Sequence, residues 1–173
     1  MHNHLALLKT MQPNRKMPEG DVPCISDMDI ILSQALLMDA GSAAFKAIKS
    51  GEIADILAGL VGLAYSALHA LTIQDKDILE NQGEGYQQYQ MLAIMRLLSD
   101  KIHQCSSGDA KHYSELYHLC SNLASGFLNA DFDKAFQVYC EWHKAWQAAN
   151  VATDKMHDPH TCKIPDMTDC LYE

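Results

Sequence analysis

The chain has 173 residues, of which 48% are hydrophobic and 20% charged, a composition typical of one globular domain rather than a disordered chain. Its 22 acidic residues outnumber 13 basic ones and give a formal net charge of −9, so a nucleic-acid partner is not expected, because phosphate backbones require a basic surface. The beginning of the chain lacks the small-residue cleavage site of a secretory signal, and we interpret residues 1–25 as an N-terminal extension of a cytoplasmic protein.

Helix-start and helix-stop residues divide the middle of the chain into five predicted helices. Ser26, with Asp29 three residues later, resembles a capping box and begins a helix over about 26–48. Gly51 ends this helix, and a second helix runs from Glu52 to about residue 71, so the two form an antiparallel hairpin. The three remaining helical patterns cover 86–105, 110–127 and 131–150. All five prolines lie outside this region, which predicts an all-α bundle of antiparallel helical hairpins over 26–150 and an irregular tail over 151–173.

The second predicted helix is apolar nearly all round. Residues 56–74 carry no charge and are long enough to cross a bilayer. The stretch also contains Tyr65, Ser66 and His69, and no basic flank sets an orientation in a membrane. We therefore expect a helix buried in the centre of the bundle and no membrane span.

The stretch "AFKAIKSGEIADILAGLVGLAYSALHALTIQDKDI" resembles the core of the all-α nucleoside triphosphate pyrophosphohydrolases, the MazG-like and phosphoribosyl-ATP pyrophosphohydrolase-like superfamily. In that family one helix carries a Glu-Glu-x-x-Glu segment and the next carries Glu-x-x-Asp. The resemblance covers about residues 26–80 and implies Mg²⁺-dependent hydrolysis of nucleoside triphosphates or related phosphate compounds. The shorter stretches "NADFDKAFQV" and "ANVATDK" resemble the region where the family places an Asn and a Lys near the nucleotide, which implies Asn150 and Lys155 as substrate contacts.

The candidate metal ligands are the acids of the predicted hairpin. Glu52 and Asp55 stand one helical turn apart, and Asp39 is the only acid in the corresponding part of the preceding helix. Carboxylates on two facing helices converge on Mg²⁺, which prefers oxygen ligands and neutralises a triphosphate. In this hypothesis Asp39, Glu52 and Asp55 hold the metal, while Lys46 or Lys155 meets phosphate.

The acids also permit other interpretations. In one alignment to the family, Glu52 and Asp55 occupy the Glu-x-x-Asp motif. In a second alignment Gly51, Tyr65 and Asp77 match the Gly, Tyr and Asp of the family, but the motif positions fall on Asp55 and Ala58. Acids in the first turn of a helix are also stabilised by the helix dipole and need no metal. The alternative to the enzyme is therefore a catalytically silent helical binding or assembly protein on the same scaffold.

Small residues on the second helix indicate an assembly surface. Ala58, Gly59 and Gly62 leave a smooth face that allows another helix to approach closely, and the resembled family builds its sites across subunits. We therefore expect a homodimer or a higher oligomer.

The end of the chain offers a weaker metal hypothesis. His157, His160 and Cys162 lie in one segment, with Cys170 further on, and zinc accepts these residue types. Their spacing matches no standard zinc finger, and a loose terminal segment is the alternative interpretation.

Overall fold

The structure is a computed structural model that describes residues 4–11, 26–80, 90–153 and 164–172, with side chains as far as residue 148 in the last long helix. The described residues form six α-helices: α1 (His4–Met11), α2 (Asp27–Ser50), α3 (Ile53–Ile73), α4 (Met91–Gln104), α5 (Ala110–Asn122) and α6 (Phe132–Thr153). Short 3-10 turns occupy Cys105–Ser107 and Thr168–Cys170, and a π-helical turn occupies Leu123–Phe127. These ranges contain no strand, and the predicted all-α fold is confirmed.

The start and the end of α2 follow the capping residues predicted from the sequence. The Ser26 side chain accepts a hydrogen bond from the backbone N–H of Asp29, and the Asp29 carboxylate accepts one from the N–H of Ser26, which completes the capping box. Gly51 adopts the left-handed conformation with φ of 81° and donates its N–H to the carbonyl of Ala47 at 3.1 Å. The chain then turns directly into α3.

The helices α2 and α3 pack at very short range. A β-carbon placed on Gly59 of α3 would lie 2.6 Å from the Cα of Ala44 on α2, while one placed on Gly41 of α2 would lie 4.0 Å from Leu63 of α3. The contact that lies earlier on α2, at Gly41, lies later on α3, at Leu63, so the two helices are antiparallel. The missing side chain at Gly59 lets the two backbones touch.

Helix α3 is the centre of the fold. Fourteen of its 21 residues are buried, and it contacts α1, α2, α5 and α6. By length and composition, α2 and α3 would each be able to cross a membrane, but 78% of the apolar window of α3 is buried inside the protein, against 22% for α2. Helix α3 is therefore the core helix predicted from its apolar pattern.

Both ends of the chain contribute described segments that pack on this core. Helix α1 lies within the predicted N-terminal extension and inserts the buried side chain of His4, whose Nδ1 lies 2.9 Å from the hydroxyl of Tyr117. The His4 ring stacks on Phe136 with centroids 4.2 Å apart. Near the other end, the N–H of Asp131 donates to the carbonyl of Cys170 at 2.8 Å, which attaches residues 164–172 to the start of α6.

Candidate functional site

The predicted metal ligands occupy two separate parts of the hairpin. Glu52 is the N-cap residue of α3 and Asp55 lies in its first turn, so these two acids are neighbours. Asp39 stands 11 residues before the end of α2, which at the rise of an α-helix is roughly 17 Å along the axis. All three side chains are exposed, and the described residues contain no group of three or more His, Cys, Asp or Glu side chains arranged to hold a metal.

Only one of the predicted substrate contacts has a described side chain. Lys46 lies near the end of α2 and lines a surface groove between α2 and α4. Asn150 belongs to α6, but its side chain lies outside the described part, and Lys155 lies in a segment that the structure does not describe. The same holds for His157, His160 and Cys162 of the zinc hypothesis.

The small-residue face predicted for a dimer is used within the chain. Gly59 faces Ala44 of α2, and a β-carbon on Gly62 would lie 3.1 Å from the hydroxyl of Tyr139 on α6. Ala58 is buried as well. The prediction that this face joins two copies of the chain is therefore wrong, because helices of the same chain cover the face. The dimer itself stays a prediction.

Exposed large hydrophobic side chains of the described residues concentrate instead on α2. Its N-terminal half carries five large hydrophobic side chains that are each about half or more exposed: Met28 (61%), Ile31 (59%), Leu32 (55%), Leu36 (45%) and Met38 (59%). These five residues, together with the exposed Ala35, are called the apolar face of α2. The opposite side of the helix, which includes Leu37 and Ala44, is buried against the rest of the bundle. Contiguous apolar patches of this kind mark interaction sites.

Acidic side chains lie before the apolar face along α2, and lysines lie near the end of the helix. Asp27 and Asp29 lie in the first turn of α2, and Lys46 and Lys49 lie near its end. This order is favourable within the helix, because acids complement the positive end of the helix dipole and cations the negative end. The exposed side of α2 therefore begins acidic, continues apolar to Met38, carries one further acid at Asp39 and ends basic.

A groove runs between the C-terminal half of α2 and helix α4, with a cavity volume of about 630 Å³. Gly41 lies at its floor, where a β-carbon would approach the tip of Ile102 to 2.8 Å. Met38 and Phe45 add further apolar lining. The polar residues that also line the groove are Gln34, Ser42, Lys46, Lys49, Ser99, Asp100 and His103.

Gln34 joins the two helices at this groove. Its side-chain N–H donates to the backbone carbonyl of Ile102 at 3.1 Å. Its carbonyl oxygen is buried and accepts no hydrogen bond from any residue that the structure describes. A buried acceptor of this kind is usually satisfied by a donor, so the groove offers an acceptor to water or to a ligand.

The buried thiols of the described chain are not suited to nucleophilic chemistry. Burial raises the pKa of Cys105 and of Cys140 to about 12, and it also raises the pKa of Cys120. Cys105, Cys120, Cys140 and Cys170 are all free and buried. Because the thiolate is the reactive form, these cysteines act as packing residues.

A buried polar pair links the core helix to α6. The hydroxyl of Tyr65 lies 3.0 Å from Nδ1 of His143, and the two rings are 4.6 Å apart at their centroids. Burial lowers the pKa of His143 to about 4, and the neighbouring His69 contributes to this lowering. His143 is therefore neutral near pH 7, and its role here is to position α6 on α3.

Comparisons with protein-family models, with curated proteins and with solved structures find no match to this chain. The fold and the candidate surfaces are therefore interpreted from the geometry of the chain itself.

Proposed function

We propose that this chain is a catalytically silent helical assembly protein, in which two copies pair through the apolar face of α2. The observation that carries the proposal is the exposure of five large hydrophobic side chains on one helix whose other side is packed into the bundle. Water contact with such a surface is unfavourable, and burial of a fully exposed Leu, Ile or Met side chain stabilises by about 1.5–3 kcal/mol. A partner that covers this face removes that penalty.

The expected affinity is moderate. Because each of the five side chains is about half exposed, covering the two faces contributes on the order of 10 kcal/mol before the costs of association are subtracted. Those costs are themselves about 4–15 kcal/mol. At the lower end of these costs about 6 kcal/mol remains, so we expect a reversible dimer with a dissociation constant of tens of micromolar rather than a permanent one.

A second copy of this chain fits the apolar face of α2, because the face is its own complement in an antiparallel pair. If two α2 helices pack antiparallel about a two-fold axis at the level of Ser33, Met28 of one copy lies level with Met38 of the other, since 28 + 38 = 2 × 33. Asp27 of one copy then lies level with Asp39 of the other, since 27 + 39 = 66. A two-fold interface repeats each contact twice, and such rim charges affect the orientation of the helices more than the affinity.

One pair of residues opposes this arrangement. Asp39 of one copy and Asp27 of the other are both exposed and lie at the same level, so their carboxylates face each other. These like charges repel, but solvent screens them, and the cost is about 1 kcal/mol or less. Removal of the Asp39 charge should therefore tighten the dimer.

The second candidate function is the Mg²⁺-dependent hydrolysis of nucleoside triphosphates implied by the resemblance to the MazG-like family. Its support is the position of Lys46 in a groove of about 630 Å³, together with the antiparallel α2–α3 pair, which a MazG-like arrangement of hairpins would contain. We rank it second because the exposed acids Glu52 and Asp55 are neighbours while Asp39 lies far along α2. Incubation of the pure protein with a panel of nucleotides and Mg²⁺ or Mn²⁺, scored for pyrophosphate and phosphate release, tests it.

The assembly proposal is tested by sedimentation velocity with a matched pair of variants. Leu32→Lys places a charge in the apolar face, whereas Leu92→Lys makes the same change on α4, at a leucine of nearly equal exposure (57% against 55%). We expect wild type and Leu92→Lys to dimerise over roughly 1–100 µM and Leu32→Lys to remain monomeric. Equal behaviour of the two variants would contradict the proposal. Binding of wild type to phospholipid vesicles without self-association would assign the face to a membrane surface instead.

A further inference from the structure

The groove between α2 and α4 combines an apolar floor with cationic side chains. Met38, Phe45 and Ile102 supply the apolar lining, and Lys46 and Lys49 lie three residues apart on α2, one turn of the helix. Its volume of about 630 Å³ lies within the range of small-molecule sites. Such sites are mainly apolar, with a few polar groups that orient the ligand.

The two lysines of the groove, unlike Lys9 and Lys101, are not paired with acids of the described chain. Lys101 pairs with Glu115 at 2.6 Å, and Lys9 lies 3.5 Å from both Asp75 and Asp77. Neither Lys46 nor Lys49 forms an ion pair with another residue in the described ranges, although the chain as a whole carries a net charge of −9. Two cations beside a single lining carboxylate, that of Asp100, make the groove attractive to an anion.

We propose that this groove binds an anionic amphiphile, a molecule with a carboxylate or phosphate head and an apolar body. The head lies between the ammonium groups of Lys46 and Lys49, and the body covers Met38, Phe45 and Ile102. Gln34 also lines the groove, and its buried carbonyl oxygen accepts a hydrogen bond from a water molecule retained beside the ligand. The proposal does not rest on the α2 dimer.

The test is a titration of the full chain with three ten-carbon amphiphiles, each kept below its critical micelle concentration. Binding is measured from changes in the backbone amide chemical shifts. Decanoate and decyl phosphate carry the two anionic heads, and decyltrimethylammonium is the cationic control. We expect both anions to bind and to shift the amides of Ser42, Lys46 and Ser99, while the cation binds at least about tenfold more weakly. The tighter of the two anions identifies the head group.

Three variants separate the groove from other surfaces. Lys46→Met with Lys49→Met should weaken both anions by about tenfold or more, since two charge-assisted contacts are lost. Lys144→Met, which changes a lysine of α6 outside the groove, should leave the affinity unchanged. Ser42→Trp fills the groove from an exposed position and should abolish binding.

Self-association is controlled in the same titration. Because a second copy would cover Met38, which also lines the groove, the titration is repeated in Leu32→Lys, which keeps the groove intact. Equal binding of anion and cation, unchanged affinity in the double lysine variant, or shifts confined to the apolar face of α2 would overturn the proposal.

Discussion

Gly59 of α3 faces Ala44 of α2 so closely that a β-carbon on the glycine would lie 2.6 Å from the alanine Cα and 3.2 Å from its backbone nitrogen. Backbone atoms cannot rotate away as a flexible side chain does, so the helices themselves must separate to admit a methyl group. This contact fixes the distance of α2 from the core helix. It also places the apolar face of α2 outward.

The first prediction concerns this contact. Gly59→Ala should lower the free energy of unfolding by about 1–3 kcal/mol, because overpacking outweighs the usual helix preference for alanine. Urea denaturation measures the change. Gly126→Ala is the control, since a β-carbon at Gly126 meets nothing within 4 Å and its φ is not positive. Equal stability of Gly59→Ala and wild type would mean that the two helices do not touch at this position.

The second prediction concerns the pH dependence of stability through His143. Its pKa is about 4 in the folded chain, whereas an ordinary histidine titrates at 6.5, so between these values the unfolded chain binds a proton that the folded chain does not. The free energy of unfolding should therefore fall as the pH decreases from 6.5 towards 4. Below about pH 4 the titration of His143 changes it no further. The contribution is about 2 kcal/mol after a discount for the solvent that still reaches the ring.

The matched variant for this prediction is His143→Asn, whose side-chain oxygen can accept the hydrogen bond of the Tyr65 hydroxyl without titrating. The difference in the free energy of unfolding between wild type and His143→Asn should change by about 2 kcal/mol between neutral pH and pH 4. Denaturant titrations at both pH values supply this difference. Parallel pH profiles for the two proteins would refute the assigned role of His143.

The third prediction concerns Asp39, which faces Asp27 of the second copy in the proposed pair. Asp39→Asn removes this repulsion and should tighten the dimer by about two- to fivefold, with the larger effect at low salt. Sedimentation equilibrium at two salt concentrations measures the dissociation constant. An unchanged or weaker dimer would show that the two-fold axis does not lie near Ser33.

The fourth prediction separates the assembly protein from the nucleotide hydrolase. If Glu52 and Asp55 act only at the start of α3, Mg²⁺ should leave the melting temperature unchanged. A metal bound only by the folded state would instead stabilise it by about 2.7 kcal/mol at a hundred times its dissociation constant. A melting temperature that rises with Mg²⁺, and that no longer rises in Glu52→Gln with Asp55→Asn, would favour the enzyme.

The two ends of α2 were predictable from the sequence because local residues determine them. Ser26 with Asp29 started α2 and Gly51 ended it, since capping and the left-handed conformation depend on one turn of chain. The uncharged stretch of α3 likewise indicated a core helix, because a helix that is apolar nearly all round has no side to present to water.

The surfaces were not predictable in the same way, because they depend on which helices meet. The small residues Gly59 and Gly62 indicated a close helix neighbour, but the sequence did not show that this neighbour belongs to the same chain. Helix α1 was missed because its anchor, His4, contacts Tyr117 more than a hundred positions away. The apolar face of α2 carries residues that a core helix also carries, and only the packing of α3 on one side shows that the other side is exposed.

The most direct test of the α2 pairing is charge reversal at Asp27 and Asp39, measured as the dimer dissociation constant by sedimentation equilibrium. Asp27→Lys and Asp39→Lys each place opposite charges across the two-fold axis, and each should tighten the dimer by about tenfold. The double variant places lysines opposite each other and should return the dissociation constant to within about threefold of wild type. Circular dichroism confirms that each variant remains folded, because Asp27→Lys also removes an acid from the first turn of α2. A wild type that is monomeric throughout, or a double variant as tight as the single ones, would contradict the account.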